Sequence, residues 1–483
     1  PIHSIPLVNS SAPAKITNKE TTSRTQSIWL GMLPGLLGSP QAMTTPPAAA
    51  RSDPSVRIRL AFVAALAIAL PALWVRWTDP HLSHGIEALL FGLAIVGAAF
   101  VLSWAAEVAQ LDIAAGLALA LLALIAVLPE YAVDFVFAWK GGQAVATYGA
   151  ACPSGEAGLA SPCSLALANM TGANRLLIGI GWSSVVFIAW YRSRRRVEGR
   201  PTQPISEIRL GRTHAVEIAF LGVATLYSLT LPLKHSITLI DAGVLIGLFG
   251  LYMVQLARAP AEEPHLVGPS RWLGTFPDRG RRLTVGAMFL WAALVIVLCA
   301  EPFAHALVSA GSDYGVSEFF LVQWLAPLAS EAPEFIIAGL FAWRLQTDTA
   351  LGALVSSKVN QWTLLVGSLP IVFAIASRSR HGLPIEGVQR LELLLTGAQS
   401  LFAVALILNL RMSVREAWWI FALFWAQFIL SAAAGPELHD EVLLITSAIY
   451  LAIAVWLLFQ HRVAAKQLLR DGIRAPYEEL ARP

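Results

Sequence analysis

From Ile58 onward the chain alternates apolar stretches of about 20 residues, long enough to cross roughly 30 Å of hydrocarbon as helix, with short polar segments. The pattern predicts an all-α polytopic membrane protein of about twelve transmembrane helices. These fall near 58–77, 84–106, 111–139, 164–190, 213–232, 236–257, 284–309, 313–343, 349–377, 387–409, 414–433 and 440–460. The longest must tilt, kink or project beyond the lipid. Residues 1–55, rich in Ser, Thr, Pro and Ala without sustained periodicity, read as a disordered tail. The remainder divides into a first membrane half (56–200), linking helices and a loop (201–283), a second repeat (284–380), closing helices (381–460) and a terminal tail (461–483).

Two of the apolar stretches break their own pattern. "LPEYAVDFVFAW" from Leu128 and "APEFIIAGLFAW" from Ala332 each place a proline and a carboxylate inside a span. Aligning their Pro-Glu pairs brings Tyr131 over Phe335 and Phe137-Ala138-Trp139 over Phe341-Ala342-Trp343, at an offset of 204 residues. Each is followed in the next span by a polar block, "ANMTGANR" at 168–175 and "VSSKVNQWT" at 355–363. Because three spans separate the two hairpins, the second enters the membrane in the opposite sense. Such inverted-topology repeats are the architecture of many secondary transporters, whose sites lie where broken helices meet near the midplane.

A Pro-Glu in one span and a Gly-Asn or Gly-Ser-Asn type motif in the next resembles the α-repeats of the calcium/cation antiporter superfamily, to which the sodium/calcium exchangers belong. The resemblance covers roughly 107–190 and 301–377. It implies that Glu130 and Glu334 are the central cation ligands. It also places Asn169 and Asn174 at the first repeat's asparagines, Gly172 at its helix-packing glycine and Ala173 at its serine. The second repeat departs further: Ala353 stands at the first asparagine, Ser356 at the glycine, Ser357 at the serine and Lys358 at the second asparagine, with Gln361 at a later asparagine and Gly367 closing the motif.

The chemistry of these residues points the same way. Proline removes a backbone donor and loosens its helix, and freed polar groups survive in a membrane only against protein, water or an ion. A charge at the bilayer centre costs about 2.5–3.5 kcal/mol on insertion scales. Two carboxylates brought together by pseudo-twofold symmetry, with oxygens from Asn169, Asn174, Ser356 and Ser357, suit a hard cation that takes about six to eight oxygens. Asp134, four residues after Glu130, is an additional candidate ligand. Glu331, three before Glu334, and Lys358 are candidates for charge coupling. Clustered carboxylates favour protonation, which would compete with metal. Arg175 is expected to snorkel or bind a carbonyl, and Glu107 and Glu301 to be solvated at span ends.

Composition adds bounds. The chain has 483 residues, 56% hydrophobic and 13% charged, with a mean hydropathy of +0.63. A net charge of +3 gives no reason to expect a nucleic-acid partner. The placement of charge says more: arginines before the first span and after the fourth, sixth, eighth, tenth and twelfth fall on one side, which the positive-inside rule assigns to the cytoplasm together with both termini. Cys152 and Cys163 share a loop on the other side, where either a disulfide or free thiols are consistent with the sequence. No nucleotide-binding motif and no nucleophile–base constellation stands out, so neither an enzyme nor a cofactor is expected. The expected function is secondary-active cation antiport, exchanging calcium or another cation against sodium or protons by alternating access. The expected partners are the lipid bilayer, that of a plasma (inner) membrane, and small inorganic cations. Two alternatives stay open: a divergent proton-coupled exchanger with a non-calcium substrate, and a transport-inactive scaffold or receptor with a buried salt-bridge network.

Overall fold

The computed structural model describes residues 54–112, 128–149, 152, 160–194, 205–258, 266, 268–434, 436–475 and 477–480. The expected tail up to residue 53, residues 113–127 of the expected third span, and Arg195, Arg196 and Arg200 lie outside them. The helices are α1 (Pro54–Ala67), α2 (Leu70–Thr78), α3 (His84–Ala109), α4 (Leu128–Tyr148), α5 (Pro162–Leu176), α6 (Ser183–Arg194), α7 (Ala215–Ser228) and α8 (Leu239–Leu256) in the first half. The second half holds α9 (Asp278–Tyr314), α10 (Glu318–Trp343), α11 (Thr347–Asn360), α12 (Val366–Ser377), α13 (Gly387–Ile407), α14 (Val414–Ala433), α15 (Pro436–Gln460) and α16 (Arg462–Arg474). Short strands β1 (Glu207–Arg209), β2 (Ser236–Ile237), β3 (Leu383–Pro384) and β4 (Arg411–Ser413) stand between helices.

The span count differs from the expected twelve. Among the described residues ten helices are long and apolar enough to cross a membrane, or eleven if the bent α10 is one span. The difference is the expected third span, whose described part, α4, carries Glu130, Asp134 and Lys140 within one helix. The apolar stretch that precedes α4 in the sequence, residues 113–127, lies outside the described residues.

Helix pairing obeys the inverted repeat. The first long helices of the two halves, α3 and α9, pack on each other; α6 packs on α10 and, reciprocally, α12 on α4. Likewise α13 meets α5 while α7 meets α11, and α14 meets α6 while α8 meets α12. Reciprocity extends to local chemistry. Both α8 and α14 open with a capping box, Thr238 with Asp241 and Ser413 with Glu416, in which side chain and backbone satisfy each other's free donors. Both polar blocks run into a π-helical turn, Leu177–Trp182 between α5 and α6 and Gln361–Leu365 between α11 and α12, starting 184 residues apart. A π turn is rare and frequents functional sites, so its occurrence at equivalent places marks both blocks. The 204-residue offset of the Pro-Glu pairs shrinks to 184 because α4 runs on past Trp139 to Tyr148 whereas α10 ends at Trp343, and because the loop before α5 is longer than the one before α11. That longer loop is pinned by a Cys152–Cys163 disulfide, which resolves the alternatives left by the sequence.

Two strand pairs tie the loops. Antiparallel β1 and β4 join the segment after α6 to the one before α14, while β2 and β3 join the segments before α8 and after α12. The first pair lies on the arginine-rich face, where Arg281 and Arg282 also clasp Asp112 at 2.8–2.9 Å. These hydrogen bonds, with that from Arg281 foremost, hold the Asp112 carboxyl down at about 2. On the other face the disulfide loop is tied to α10 by the Ala160 amide donating to Glu318 Oε2 at 2.9 Å.

Gly172 sets the closest approach between the repeats. A Cβ there would lie 1.7 Å from the carbonyl oxygen of Gln323 on α10, so only glycine lets these backbones touch. Gly172→Val is therefore expected to force α5 from α10 and cost about 1–3 kcal/mol. A clearly lowered melting temperature of the purified protein in detergent would bear this out, and an unchanged one would contradict the close packing.

Candidate cation site at the repeat interface

The two hairpins bring their carboxylates into one buried cluster. Glu130 stands in the first described turn of α4, 3% exposed, with Asp134 one turn further on and fully buried. Glu331 and Glu334 flank the point where α10 bends by 55°, between Ala332 and Glu334, with Pro333 between them in sequence. Glu331 is buried and Glu334 partly so. The four are close enough to act on one another: the charges of Asp134 and Glu334 bear on Glu130, and those of Glu130 and Glu334 bear on Glu331. Lys358 opposes them at both Glu130 and Glu331.

Donors from the polar blocks hold these acids, two within their own repeat and one across to the other. Asn169 Nδ2 donates to Asp134 Oδ1 at 2.7 Å, and Ser357 Oγ to Glu334 Oε2 at 2.8 Å. Gln361 Nε2 donates both to Glu130 Oε2 at 3.4 Å and to Glu331 Oε1, so one amide joins a carboxylate from each half. Tyr131 completes the cross-link by donating its hydroxyl to Asn360 Oδ1 at 3.0 Å.

Lys358 occupies a position the sequence left open. It is fully buried, and its ammonium donates to Asn174 twice, to the backbone oxygen at 2.5 Å and to Oδ1 at 2.6 Å. No ion pair within 4 Å joins it to any of the four carboxylates among the described residues. Among the described residues thirteen buried side-chain polar atoms lack a hydrogen-bond partner, and five of them belong to this cluster. Glu130 Oε1, Asp134 Oδ2, Asn169 Oδ1, Glu331 Oε2 and Gln361 Oε1 are all buried without a hydrogen-bond partner. Buried polar atoms are nearly always satisfied, and an orphaned set calls for water or an ion. All five are oxygens, three from carboxylates, which is the donor type a hard cation takes. Among the described residues no three Asp, Glu, His or Cys side chains are grouped so as to hold a metal by themselves.

Most of the candidates predicted from sequence meet here. Glu130, Asp134, Asn169, Glu331, Glu334 and Ser357 lie in the cluster; Asn174 serves it through Lys358. Ser356 does not: its hydroxyl lies 2.7 Å from that of Tyr252 on α8, turned toward a neighbouring helix. It stands where the first repeat has Gly172, a backbone-contact position, and such a position faces a helix.

The chain as a whole is similar to known proteins. The family profile described as sodium/calcium exchanger protein matches residues 84–257 and 284–434, the two halves related by the inverted repeat. The chain belongs to that family. A crystal structure of the H+/Ca2+ exchanger CAX is 40% identical, covers 88% of this chain and 99% of that one, and superposes with a TM-score of 0.77. A structure of the Ca2+/H+ antiporter protein YfkE, 14% identical with a TM-score of 0.50, covers 84% of this chain and 99% of its own and shares the fold. A putative antiporter, CaxA from Alkalimonas amylolytica, is 24% identical over 98 residues, which is 20% of this chain and 31% of that protein.

A second charged system was missed. Arg175, expected to snorkel, is 1% exposed. It donates through Nη1 to Glu392 on α13 and through Nη2 to Gln427 on α14, and lies 4.9 Å over the Trp324 ring of α10. Its carbonyl accepts from Gln399 at 3.3 Å. Snorkelling fails because the residue sits in mid-helix facing protein on every side. The signal that could have found its partner was Glu392, a lone carboxylate inside an apolar span. Asn360, within "VSSKVNQWT", has no asparagine counterpart at the 184-residue spacing, so it is the bond from Tyr131 that marks it.

Breaking a buried pair by removing one partner leaves an uncompensated charge and costs about 3–5 kcal/mol. Arg175→Leu is accordingly expected to destabilise the protein strongly, and adding Glu392→Gln to recover part of the loss. Melting of the purified single and double variants in detergent measures this; a double variant as unstable as the single would separate Arg175 from Glu392.

Proposed function

We propose that the chain is a secondary-active cation antiporter in which Glu130 and Glu334, one from each repeat, are the primary ligands of the transported ion. Asp134, Glu331, Asn169, Gln361 and Ser357 add oxygens. The observation that carries this reading is the set of five orphaned buried oxygens drawn from both halves of the molecule. An ion seated among them would replace the missing hydrogen-bond partners, and protons are the natural competitors because they satisfy the same oxygens. Calcium exchange against protons is the favoured substrate pair, supported by the 40% identity to a structure named as an H+/Ca2+ exchanger. Transport requires no cofactor in this reading; the cations are the substrates.

The scaffold alternative needs charges that cancel permanently. Here the ammonium of Lys358 goes to Asn174 instead of a carboxylate, leaving acids unsatisfied, which favours exchange. With Arg175 committed to Glu392, the cluster holds four carboxylates against one ammonium, three negative charges when all are ionised. That balance suits a divalent cation or several protons.

Orientation belongs to the same proposal. The arginine-rich face, which carries β1, β4 and α16, is cytoplasmic, and the disulfide-bearing loop lies on the oxidising side. In this reading the membrane is a plasma (inner) membrane.

Reconstituted in liposomes, the protein is expected to take up calcium when the lumen is made acidic relative to the outside, and to release it when the pH gradient is reversed. Glu130→Gln and Glu334→Gln are each expected to lower uptake by about tenfold or more, a loss of at least ~1.4 kcal/mol in ion stabilisation. Absence of cation flux in the unmodified protein under pH or sodium gradients would end the antiporter reading. Lys358→Asn, restoring the residue type of the first repeat, is expected to alter ion selectivity or the pH profile of flux; identical profiles would remove the lysine from the mechanism.

A further inference from the structure

Helix α16 follows the last span after a single break at His461 and is unlike every helix before it. Its inner face is firmly seated. Leu468 is buried, a Cβ on Gly472 would lie 2.2 Å from the carbonyl oxygen of Ala215 at the start of α7, and Gln255 at the end of α8 donates to the Ile473 carbonyl at 2.9 Å. Arg212 reaches Asp471 at 3.3 Å along the edge.

The outer face carries two adjoining stripes at helical spacing. Lys466, Arg470 and Arg474 follow one another every four residues, and Leu469 and Ile473, 40% and 43% exposed, run beside them. Val463, 74% exposed, adds apolar surface nearer the membrane end. The three basic residues line a cleft of about 770 Å3 with Gln467, Asp471 and Glu479. Asp471 is already engaged by Arg212, which leaves the basic side chains in excess there. The surface is continuous with the lipid-facing end of α15, where Trp456 and Phe459 are largely exposed and Arg462 stacks over the Phe459 ring at 5.0 Å.

Apolar side chains left open beside cations are unfavourable in water and favourable at a membrane surface, where the first enter the acyl boundary and the second meet phosphates. An acidic protein partner would account for the charge but not for the apolar stripe running on from a lipid-facing helix. We propose that the outer face of α16 is a binding site for anionic phospholipid headgroups, with Lys466, Arg470 and Arg474 taking the phosphate and Leu469 and Ile473 the proximal acyl chain. The site is independent of which ion the protein transports. It bears on transport through packing, since α16 lies on α7 and α7 lies on α11, which carries Ser357 and Lys358.

The test is thermal melting of the full chain in neutral maltoside micelles supplemented with dioleoylphosphatidylglycerol or dioleoylphosphatidylcholine. The anionic lipid is expected to raise the midpoint by about 2–4 °C more than the zwitterionic one. Lys466→Gln/Arg470→Gln/Arg474→Gln together are expected to abolish that difference. The charge-matched set Arg279→Gln/Arg344→Gln/Arg415→Gln, exposed elsewhere on the same face, is expected to keep it. Leu469→Gln with Ile473→Gln, which leaves all charge in place, is expected to reduce it. Equal shifts from both lipids, retention of the difference in the first triple variant, or the same shift from glycerol phosphate without acyl chains would overturn the proposal.

Discussion

The constraint on which this molecule turns is the removal of four carboxylates from water without giving them enough partners. Glu130, Asp134, Glu331 and Glu334 sit where membrane helices cross, and the donors that reach them satisfy only some of their oxygens. A permanent structural network would use the nearby ammonium to close the deficit. Instead Lys358 is held by Asn174. In the proposed antiporter that deficit is what an entering cation or proton would satisfy, because buried polar oxygens without partners are costly.

The twofold relation supplies the geometry, and its departures supply the individuality. Equivalent helices pair reciprocally, equivalent capping boxes start α8 and α14, and equivalent π turns follow the polar blocks. Against this background two positions differ. Gly172, where backbones touch, is matched by Ser356, which bonds Tyr252, and Asn174 is matched by Lys358. The second difference joins its own counterpart: lysine from one repeat donates to asparagine from the other, so the asymmetry lies on the axis itself.

Arg175 belongs to a separate system one residue from Asn174. Its engagement with Glu392, Gln427 and Trp324 ties α5 to α13, α14 and α10, and takes its charge out of the ion site. A membrane interior with two charged clusters so close needs them individually compensated. The arginine cluster is compensated internally, whereas the carboxylate cluster keeps oxygens without partners.

Much of this was legible before any coordinates. Hydrophobic period and length identify the membrane helices, because a bilayer demands long apolar stretches. A repeated Pro-Glu followed by a polar block identifies both hairpins and most of the site, because a carboxylate in such a stretch is too costly to be incidental. The sequence by itself thus determined the fold class, the inverted repeat and the acids at its centre. Only the tertiary structure decided which way polar side chains turn: Ser356 away from the acids, Lys358 to Asn174, Arg175 to Glu392, and Gln361 between two carboxylates. The reason is that spacing sets a residue's position along a helix, whereas its partner is set by which other helix lies opposite, and that information resides in contacts far apart along the chain.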